Sequence, residues 1–314
     1  MTIKKKIIRK VNNKKVDTKK TQIKRNKSVS FRNMDDKRTL AIHADDIDTW
    51  REPNSMLVDI FNDTRKLSYG KYAEDTKQAK KDVRVIDIED KDVLMNMAKK
   101  QTVTFVRTGT VNAGYSEVMT SENDFDKVAI LNFADALIPG GLVLYGAPTQ
   151  EENICRCSNL YETLIESPLY YNMNRLLGKS TYLDIMIYSP NILVFKDDIS
   201  YTEIPPVKMD VITCPAPSCY LKDADAEKLF TKRIKKILIA AQKQGVNKIV
   251  LGAWGCGAFG QNPEVVGKSF AKVLKGVKAF DKVIFAIISS QGLNESSNYT
   301  LFKKAFDKEY KSVK

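Results

Sequence analysis

The chain has 314 residues, 43% of them hydrophobic, and a formal net charge of +13 at pH 7. This length and apolar content predict a globular protein with a large buried core, in one domain or two. No stretch approaches the about 18 continuous apolar residues that a membrane-spanning helix needs, so we expect no membrane association.

The excess positive charge is concentrated at the N-terminus. Residues 1–30 hold twelve Lys or Arg and one acid, so the rest of the chain is nearly neutral. A segment this basic and this poor in aromatic residues is predicted to be a disordered tail. It is an arm that contacts nucleic acid or another polyanion, a nuclear address, or a solvated terminus without a function. Its short apolar run is not a signal peptide, so we expect an intracellular protein, cytoplasmic or nuclear and not secreted.

Five cysteines and a single histidine limit the chemistry. The odd number of cysteines predicts reduced thiols. Their C-x-C and C-x4-C spacings do not match the usual C-x2-C pairs of zinc sites, and His43 lies far from them in the sequence. We therefore expect no metal and no cofactor, and no catalytic Cys-His or Ser-His pair. The cysteines are Cys155, Cys157, Cys214, Cys219 and Cys256.

The N-terminal third is predicted to be helical, because residues 36–100 combine long polar stretches with scattered apolar positions. The pattern changes at Gln101, where the sheet is predicted to begin. A strand is expected at Val103–Val106, and a second extended stretch is expected to end at Val118. The predicted divisions are a disordered tail at 1–30, a helical extension packed on the core at 31–100, and the core domain at 101–314.

The middle of the chain combines a strand, a glycine loop and two acids. Val128–Phe133 is a short apolar run without a breaker, which predicts a buried strand of a parallel sheet. Pro139-Gly140-Gly141 follows, and its glycines allow positive φ and close approach of a ligand to the backbone. Gln150-Glu151-Glu152 then opens a predicted helix. The two acids are either functional or simply favourable charges at a helix N-terminus.

The second half alternates strands and helices, which predicts a mixed, largely parallel sheet with helices on both faces. Apolar residues spaced by three and four from Phe230 to Ala241 predict an amphipathic helix that stops at Gln244-Gly245. Asn262 and Pro263 predict the N-cap and first turn of another helix. The predicted strands are Asp184–Tyr188 paired with Ile192–Phe195, then Met209–Thr213, Ile249–Leu251 and Val283–Ile288.

A second glycine loop, Gly255–Gly260, fits G-x-G-x-x-G, follows a predicted strand and precedes a predicted helix. Backbone amides and a helix N-terminus at such a loop suit a pyrophosphate. A Rossmann dehydrogenase is disfavoured, because the motif belongs in the first βα unit and Ser289-Ser290 stand where the ribose-binding acid is expected. The remaining alternative is a tight packing turn.

Taken in order, these motifs resemble the microbial-type poly(ADP-ribose) glycohydrolases, a branch of the macrodomain superfamily. The signature is Pro139-Gly140-Gly141, a seven-residue gap from Val143 to Thr149, and Gln150-Glu151-Glu152. The resemblance runs from about position 100 to 290 and implies an α/β fold, a macrodomain-like three-layer α/β/α sandwich with a mixed sheet and an N-terminal helical extension. The supporting segments are Asn132-Phe133-Ala134, Cys155–Tyr161, Tyr188-Ser189-Pro190, Pro215-Ala216-Pro217 and Gly252–Phe259.

The resemblance also implies roles for individual residues. Glu152 is implied as the catalytic acid, Glu151 as its neighbour that holds ribose hydroxyls, and Gln150 as a support for the loop. The Phe259 ring is implied to lie against the ADP-ribose. The other substrate-binding residues implied are Asn132, Gly140 and Gly141 at the first loop, and Gly255, Cys256, Gly257 and Ala258 with Phe259 in a phosphate loop.

The function that the resemblance implies is cleavage of ribose–ribose O-glycosidic bonds in poly(ADP-ribose), which releases ADP-ribose. The implied partners are poly(ADP-ribose) or ADP-ribosylated proteins, in the reversal of ADP-ribosylation and the DNA damage response. Two alternatives stay open: a hydrolase of single ADP-ribose units on protein or DNA, and a non-catalytic ADP-ribose reader. The family usually has a third glycine where this chain has Leu142, and a side chain there is expected to crowd the loop or conflict with its φ.

Overall fold

The computed structural model describes residues 53–218, 221–288 and 297–312. The predicted basic tail at 1–30, His43 and Cys219 lie outside these residues, as do Ser289-Ser290. Across the described ranges, no helix combines the length and the apolar character that crossing a membrane requires.

The described part of the chain alternates helices and strands from Arg84 onward. The helices are α1 (Ser55–Tyr69), α2 (Ala73–Asp82), α3 (Thr110–Met119), α4 (Gln150–Cys157), α5 (Leu160–Leu164), α6 (Pro168–Leu177), α7 (Asp223–Lys243), α8 (Pro263–Leu274) and α9 (Asn298–Lys311), with a 3-10 turn at Val143–Tyr145. The strands are β1 (Arg84–Ile86), β2 (Thr102–Val106), β3 (Val128–Phe133), β4 (Met186–Lys196), β5 (Glu203–Cys214), β6 (Lys248–Leu251) and β7 (Lys282–Ala286).

The strands form one mixed sheet in the order β1-β4-β5-β3-β6-β7-β2. The five strands from β5 to β2 are parallel, whereas β1 and β4 add to one side in antiparallel fashion. β3 lies in the middle between β5 and β6, which is why its first four residues, Val128 to Leu131, are all apolar. The prediction of a mixed, largely parallel sheet is confirmed.

Helices cover both faces of the sheet, and β3 supplies residues to both. Ala129 and Leu131 belong to the apolar cluster that α7, α8 and α9 complete. Val128 and Ile130 belong to the cluster that α1 to α6 complete. Because strand side chains alternate between faces, the next residue, Asn132, lies on the α4 side of the sheet. The result is the predicted three-layer α/β/α sandwich.

The described residues from 53 to 100 differ from the prediction of a helical segment at 36–100. In the described part of that range, helices are confined to α1 and α2, and Arg84–Ile86 joins the sheet as β1 by pairing with β4. The sheet therefore does not begin at Gln101. Val and Ile favour strands, but a run of three residues is too short to predict one, so pairing with β4 determines this segment. The division into 31–100 and 101–314 stays a prediction.

Two further secondary-structure predictions were wrong. The extended stretch predicted to end at Val118 is helix α3. The predicted strand pair at 184–195 is one strand, β4, whose pairing register with β5 shifts between Ser189 and Ile192. The Ser189-Pro190-Asn191 segment, which was expected to separate two strands, forms a bulge within one strand, with φ 53° at Asn191.

The predictions around the two glycine loops are confirmed. β3, α4 and β6 occupy the predicted positions, and α7 ends at Lys243, just before the predicted stop at Gln244-Gly245. The Asn262 side chain caps α8 by accepting a hydrogen bond from the Glu264 amide, and Pro263 is the first helical residue.

Candidate active site

The two predicted glycine loops begin at neighbouring strand ends. β3 and β6 are adjacent and parallel, so their carboxyl ends open at the same edge of the sheet. The strand ends are in contact: a Cβ added to Gly252, just after β6, would lie 2.9 Å from Cζ of Phe133, the last residue of β3. Ligands of open α/β sheets bind in the crevice outside such strand ends.

Gln150 fixes the start of α4 to the end of β3. Its side-chain Oε1 accepts a hydrogen bond from the Phe133 amide at 2.8 Å, and its Nε2 donates to the Leu131 carbonyl at 2.9 Å. Nε2 also donates to Thr110 Oγ1 at 3.1 Å, at the beginning of α3. The side chain therefore satisfies backbone groups at the strand end and sets the position of the acids that follow.

Glu151 lies under the strand end with 3% of its surface exposed. One carboxyl oxygen accepts a hydrogen bond from Asn132 Nδ2 at 3.1 Å, and the other accepts from the Asp135 amide at 2.7 Å. Burial raises the pKa of Glu151 well above its ordinary value, and the charge of Glu152 raises it further, against the opposing effect of these two hydrogen bonds. The arrangement favours the neutral form of Glu151.

Glu152 is 5% exposed and faces the loop between β3 and α4. Its Oε1 accepts a hydrogen bond from the Leu142 amide at 2.9 Å, and its Oε2 accepts one from the Thr149 hydroxyl. The two adjacent glutamates therefore have different partners: Glu151 is bound to the strand end and Glu152 to the loop. Such a division follows from the angle of about 100° between successive residues of a helix.

The glycines of Pro139-Gly140-Gly141 are required by both conformation and space. Their φ angles are 69° and 56°, in the left-handed region that L side chains rarely adopt. A Cβ on Gly140 would lie 2.7 Å from the Tyr161 ring, and a Cβ on Gly141 would lie 2.4 Å from Glu152 Oε1. The loop backbone therefore packs directly on the two side chains beneath it.

Leu142 does not conflict with the loop, contrary to the expectation from the sequence. Its φ is −100°, which any L residue adopts, and its side chain is half-buried. The positive φ angles fall on Gly140 and Gly141, and the next one falls on Gly146. A third glycine is thus not needed for this backbone path, and the Leu142 amide is free to bind Glu152.

The side chains of Arg156, Arg65 and Tyr161 support the first glycine loop and α4. Arg156 is fully buried, and its Nη1 donates to the Ala147 carbonyl at 3.0 Å, within the loop. The Tyr161 ring under Gly140 is contacted by the Arg65 guanidinium at 5.4 Å. Arg65 also forms a 2.8 Å ion pair with the buried carboxylate of Glu162. Helix α1 thereby supports the first glycine loop from outside the predicted core domain.

The second loop is anchored at its base and exposed at its tip. Gly255 has φ 82°, and a Cβ there would lie 2.7 Å from the Ala216 Cβ. Gln261 donates to the Pro217 carbonyl at 2.9 Å. Gly257 and Ala258 are exposed, and Phe259 is half-buried.

Cys256 points into the protein from this loop. Its thiol is 8% exposed, and burial raises its pKa to about 12, which excludes a reactive thiolate near neutral pH. Its carbonyl accepts a hydrogen bond from the Asn298 side chain at 3.1 Å, at the start of α9. Among the described residues, no cluster of His, Cys, Asp or Glu has the arrangement of a metal site.

Several residues that complete the site were assigned no role from the sequence. They include Asp135, whose amide binds Glu151, and Arg156, which holds the loop. Thr149 is the residue with a recognisable signal, since Thr-x-x-Glu at a helix start predicts proximity of the two side chains. Arg65 lies 96 residues before Tyr161 in the sequence, so local pattern does not connect them.

Comparison with known proteins shows which proteins this chain is similar to. Residues 61–197 match the family model described as the microbial-type PARG catalytic domain, where PARG denotes poly(ADP-ribose) glycohydrolase. This range includes the first glycine loop and both glutamates. A search of curated proteins found no match.

Solved structures with the same fold include two bacterial enzymes. The poly(ADP-ribose) glycohydrolase of Thermomonospora curvata, bound to the inhibitor ADP-HPD, is 29% identical with a TM-score of 0.71, over 81% of this chain and 99% of that one. The enzyme of Deinococcus radiodurans, in complex with ADP-ribose, is 27% identical with a TM-score of 0.63, over 76% of this chain and 98% of that one. The predicted resemblance and the predicted fold class are confirmed.

Proposed function

We propose that this chain, which is similar to the microbial-type poly(ADP-ribose) glycohydrolases, hydrolyses ribose–ribose O-glycosidic bonds and releases ADP-ribose from poly(ADP-ribose). The observation that carries the proposal is the position of Glu152, a nearly buried carboxyl held against a glycine loop at the sheet edge. The bacterial relatives were solved with ADP-ribose or with ADP-HPD, which supports a ligand of this class.

Glu152 is the general acid and base of the proposed mechanism. It donates a proton to the leaving ribose oxygen, which takes the electrons of the broken C–O bond. The oxocarbenium ion that remains is stabilised by the substrate diphosphate. The Glu152 carboxylate then removes a proton from water, and the water oxygen bonds to the anomeric carbon. One carboxyl serves both half-steps, so Glu151 is available for binding.

Glu151 and Asn132 are proposed to hold ribose hydroxyls. A carboxyl in the neutral form, which burial favours at Glu151, both donates and accepts hydrogen bonds. The Asn132 Nδ2 is directed to Glu151, whereas the buried Asn132 Oδ1 has no hydrogen-bond partner among the described residues. A buried acceptor of this kind is stabilised when a ligand hydroxyl reaches it.

The second loop is proposed to bind the diphosphate. Gly257 and Ala258 present backbone at the exposed tip, close to the N-terminus of α8, where backbone amides and the helix dipole favour an anion. The exposed part of the Phe259 ring is proposed to lie against the nucleotide. Gly140 and Gly141 are proposed to contact the ribose and diphosphate from the opposite loop.

The proposal is tested with two substrates, poly(ADP-ribose) and mono-ADP-ribosylated protein, and with glutamine variants of the two site glutamates. We expect the wild-type chain to release ADP-ribose from poly(ADP-ribose), measured by chromatography. Glu152→Gln is expected to lower kcat by about 10²–10⁴-fold, the contribution of general acid–base catalysis. Glu151→Gln is expected to act mainly on ADP-ribose affinity. Glu203→Gln, at an exposed ion pair outside the site, is the control.

The outcomes separate the three candidate activities. Turnover by Glu152→Gln with intact ADP-ribose binding contradicts the role of Glu152. Release only from mono-ADP-ribosylated protein indicates a hydrolase of single units. Tight ADP-ribose binding by a wild-type chain that releases nothing from either substrate indicates a reader.

We also propose that the basic segment 1–30 contacts nucleic acid and that the protein works inside the cell, in the cytoplasm or nucleus. The charge of the segment supports the first proposal. The second is supported by the four free, buried cysteines of the described ranges. Binding of duplex DNA that weakens with salt in the full chain, and is lost when residues 1–30 are removed, is the expected result; equal binding by both contradicts it.

A further inference from the structure

We infer that Thr149 is a positioning residue for Glu152: its hydroxyl fixes Oε2 of the general acid and stabilises the carboxylate that forms when Glu152 gives up its proton. The inference rests on the proposed function, because it concerns the same proton transfer. Thr149 joins the residues of the proposed active site because its side chain contacts that of Glu152 at the start of α4.

The Thr149 hydroxyl is directed at the carboxyl and not at the helix backbone. Thr149 is the N-cap of α4 and Glu152 is the third helical residue, a spacing that usually produces a capping box. In a capping box the threonine oxygen accepts from a backbone amide of the first turn. Here Thr149 makes no side-chain cap bond, and its hydroxyl donates to Glu152 Oε2. Helix capping therefore does not account for the hydroxyl.

The two oxygens of Glu152 are not equivalent. Oε1 accepts a hydrogen bond from the Leu142 amide and lies against the Gly141 backbone. A Cβ added to Gly141 would lie only 2.4 Å from this oxygen. This oxygen is committed to the loop as an acceptor. Oε2 also accepts a hydrogen bond, but its donor is a hydroxyl that can rotate, whereas the Leu142 amide is fixed; we therefore assign the transferable proton to Oε2.

The contact strengthens as the reaction proceeds. When the Oε2 proton moves to the leaving ribose oxygen, negative charge develops on the carboxyl, and a hydrogen bond donated to a carboxylate is stronger than one donated to a carboxylic acid. An interaction that is stronger in the transition state than in the bound substrate raises kcat without tightening substrate binding. Thr149 exchanges no atoms in this step, and its own proton stays on its oxygen.

The acidic residues near Glu152 make a hydrogen-bond donor at its carboxyl useful. Two further acids, Glu151 and Asp135, lie close enough that burial and the charge of Glu152 both raise the pKa of each of them. A carboxylate that forms on Glu152 thus lies beside two buried acids and opposes their ionisation. Hydrogen bonds donated by the Thr149 hydroxyl and the Leu142 amide stabilise this carboxylate at its two oxygens, and the hydroxyl is the donor that a side-chain substitution removes.

The test compares Thr149→Val, which keeps the shape and removes the hydroxyl, with Thr149→Ser, which keeps the hydroxyl. We expect Thr149→Val to lower kcat on poly(ADP-ribose) by about 10-fold to 100-fold, the effect of losing one hydrogen bond to a charged group. KM, the Kd for ADP-ribose and the Tm are expected to stay near the wild-type values. Thr149→Ser is expected to restore most of kcat.

Thr120→Val is the matched control, because the Thr120 hydroxyl donates to the Ser116 carbonyl at the opposite end of α3 from the site. Thr149→Ala gives a second measurement if the valine variant folds poorly. A kcat for Thr149→Val and Thr149→Ala within twofold of wild type overturns the inference, as does a serine variant as impaired as the valine one. A wild-type chain that releases no ADP-ribose overturns the proposed function, and with it this inference.

Discussion

Replacing Gly141 by alanine is expected to displace the carboxyl of Glu152, the proposed general acid. The added Cβ would lie 2.4 Å from Glu152 Oε1 and 3.1 Å from the carboxyl carbon, whereas ordinary contact begins at 3.4 Å. The carboxyl must therefore retreat by about 1 Å, or the loop must move by the same amount. Misplacement of a reacting group by about 1 Å lowers rates about 100-fold, so we expect kcat on poly(ADP-ribose) to fall by that factor.

Gly245→Ala separates this displacement from backbone strain. Gly245 has φ 77°, comparable with 56° at Gly141, but no atom lies within 4 Å of an added Cβ. Both variants place alanine in the left-handed region, which costs about 1–2 kcal/mol and lowers the Tm by a few degrees. Only Gly141→Ala is expected to lose turnover. Steady-state kinetics and thermal unfolding measure both effects, and a kcat for Gly141→Ala within threefold of Gly245→Ala would refute the reasoning.

Two further predictions concern the support of the site and the stability of the fold. Arg65→Met is expected to lower the free energy of unfolding by about 3 kcal/mol in urea, because it leaves the buried carboxylate of Glu162 without its ion pair. Lys71→Met, at an exposed ion pair, is expected to have a much smaller effect. Equal losses of unfolding free energy in Arg65→Met and Lys71→Met would contradict this prediction. Burial opposes ionisation of Asp126, but hydrogen bonds from Lys248 and two polar neighbours outweigh it and lower its pKa from 3.8 to about 2. Because the folded pKa lies below the unfolded one, ionised Asp126 stabilises the fold above about pH 4, and this contribution is lost as the pH falls towards 2. Between about pH 4 and pH 2, the unfolding free energy of Asp126→Asn is expected to depend less on pH than that of the wild type. An unchanged pH dependence would argue against a lowered pKa of Asp126.

Local sequence signals were sufficient to predict a helix or strand whose burial or capping shows in its own residues. The apolar run of β3, the spacing of α7 and the Asn262-Pro263 start of α8 each reflect burial or capping within a few residues, and all three predictions are confirmed. The order of the glycine and glutamate motifs was also sufficient to predict the resemblance to microbial-type poly(ADP-ribose) glycohydrolases.

Local signals failed where a partner decides the conformation. Val118 has a strong strand propensity but lies in α3, where tertiary packing overrides it. Ser189-Pro190-Asn191 contains turn residues but continues β4 through a bulge, because β5 pairs on both sides of it. Leu142 was expected to disturb the loop on the basis of its residue type alone, and its φ of −100° removes that conflict.

The sequence by itself determined the chemical groups of this protein: two adjacent glutamates, two glycine loops and their order along the chain. Only the tertiary structure decided which atoms meet. It placed Asn132 on the face of β3 that α4 covers, brought Leu142 and Thr149 to opposite oxygens of Glu152, and set Arg65 behind Tyr161. The physical reason is that hydrogen bonds and ring contacts act over a few ångströms, and the loop path and sheet order that create such distances are properties of the whole fold.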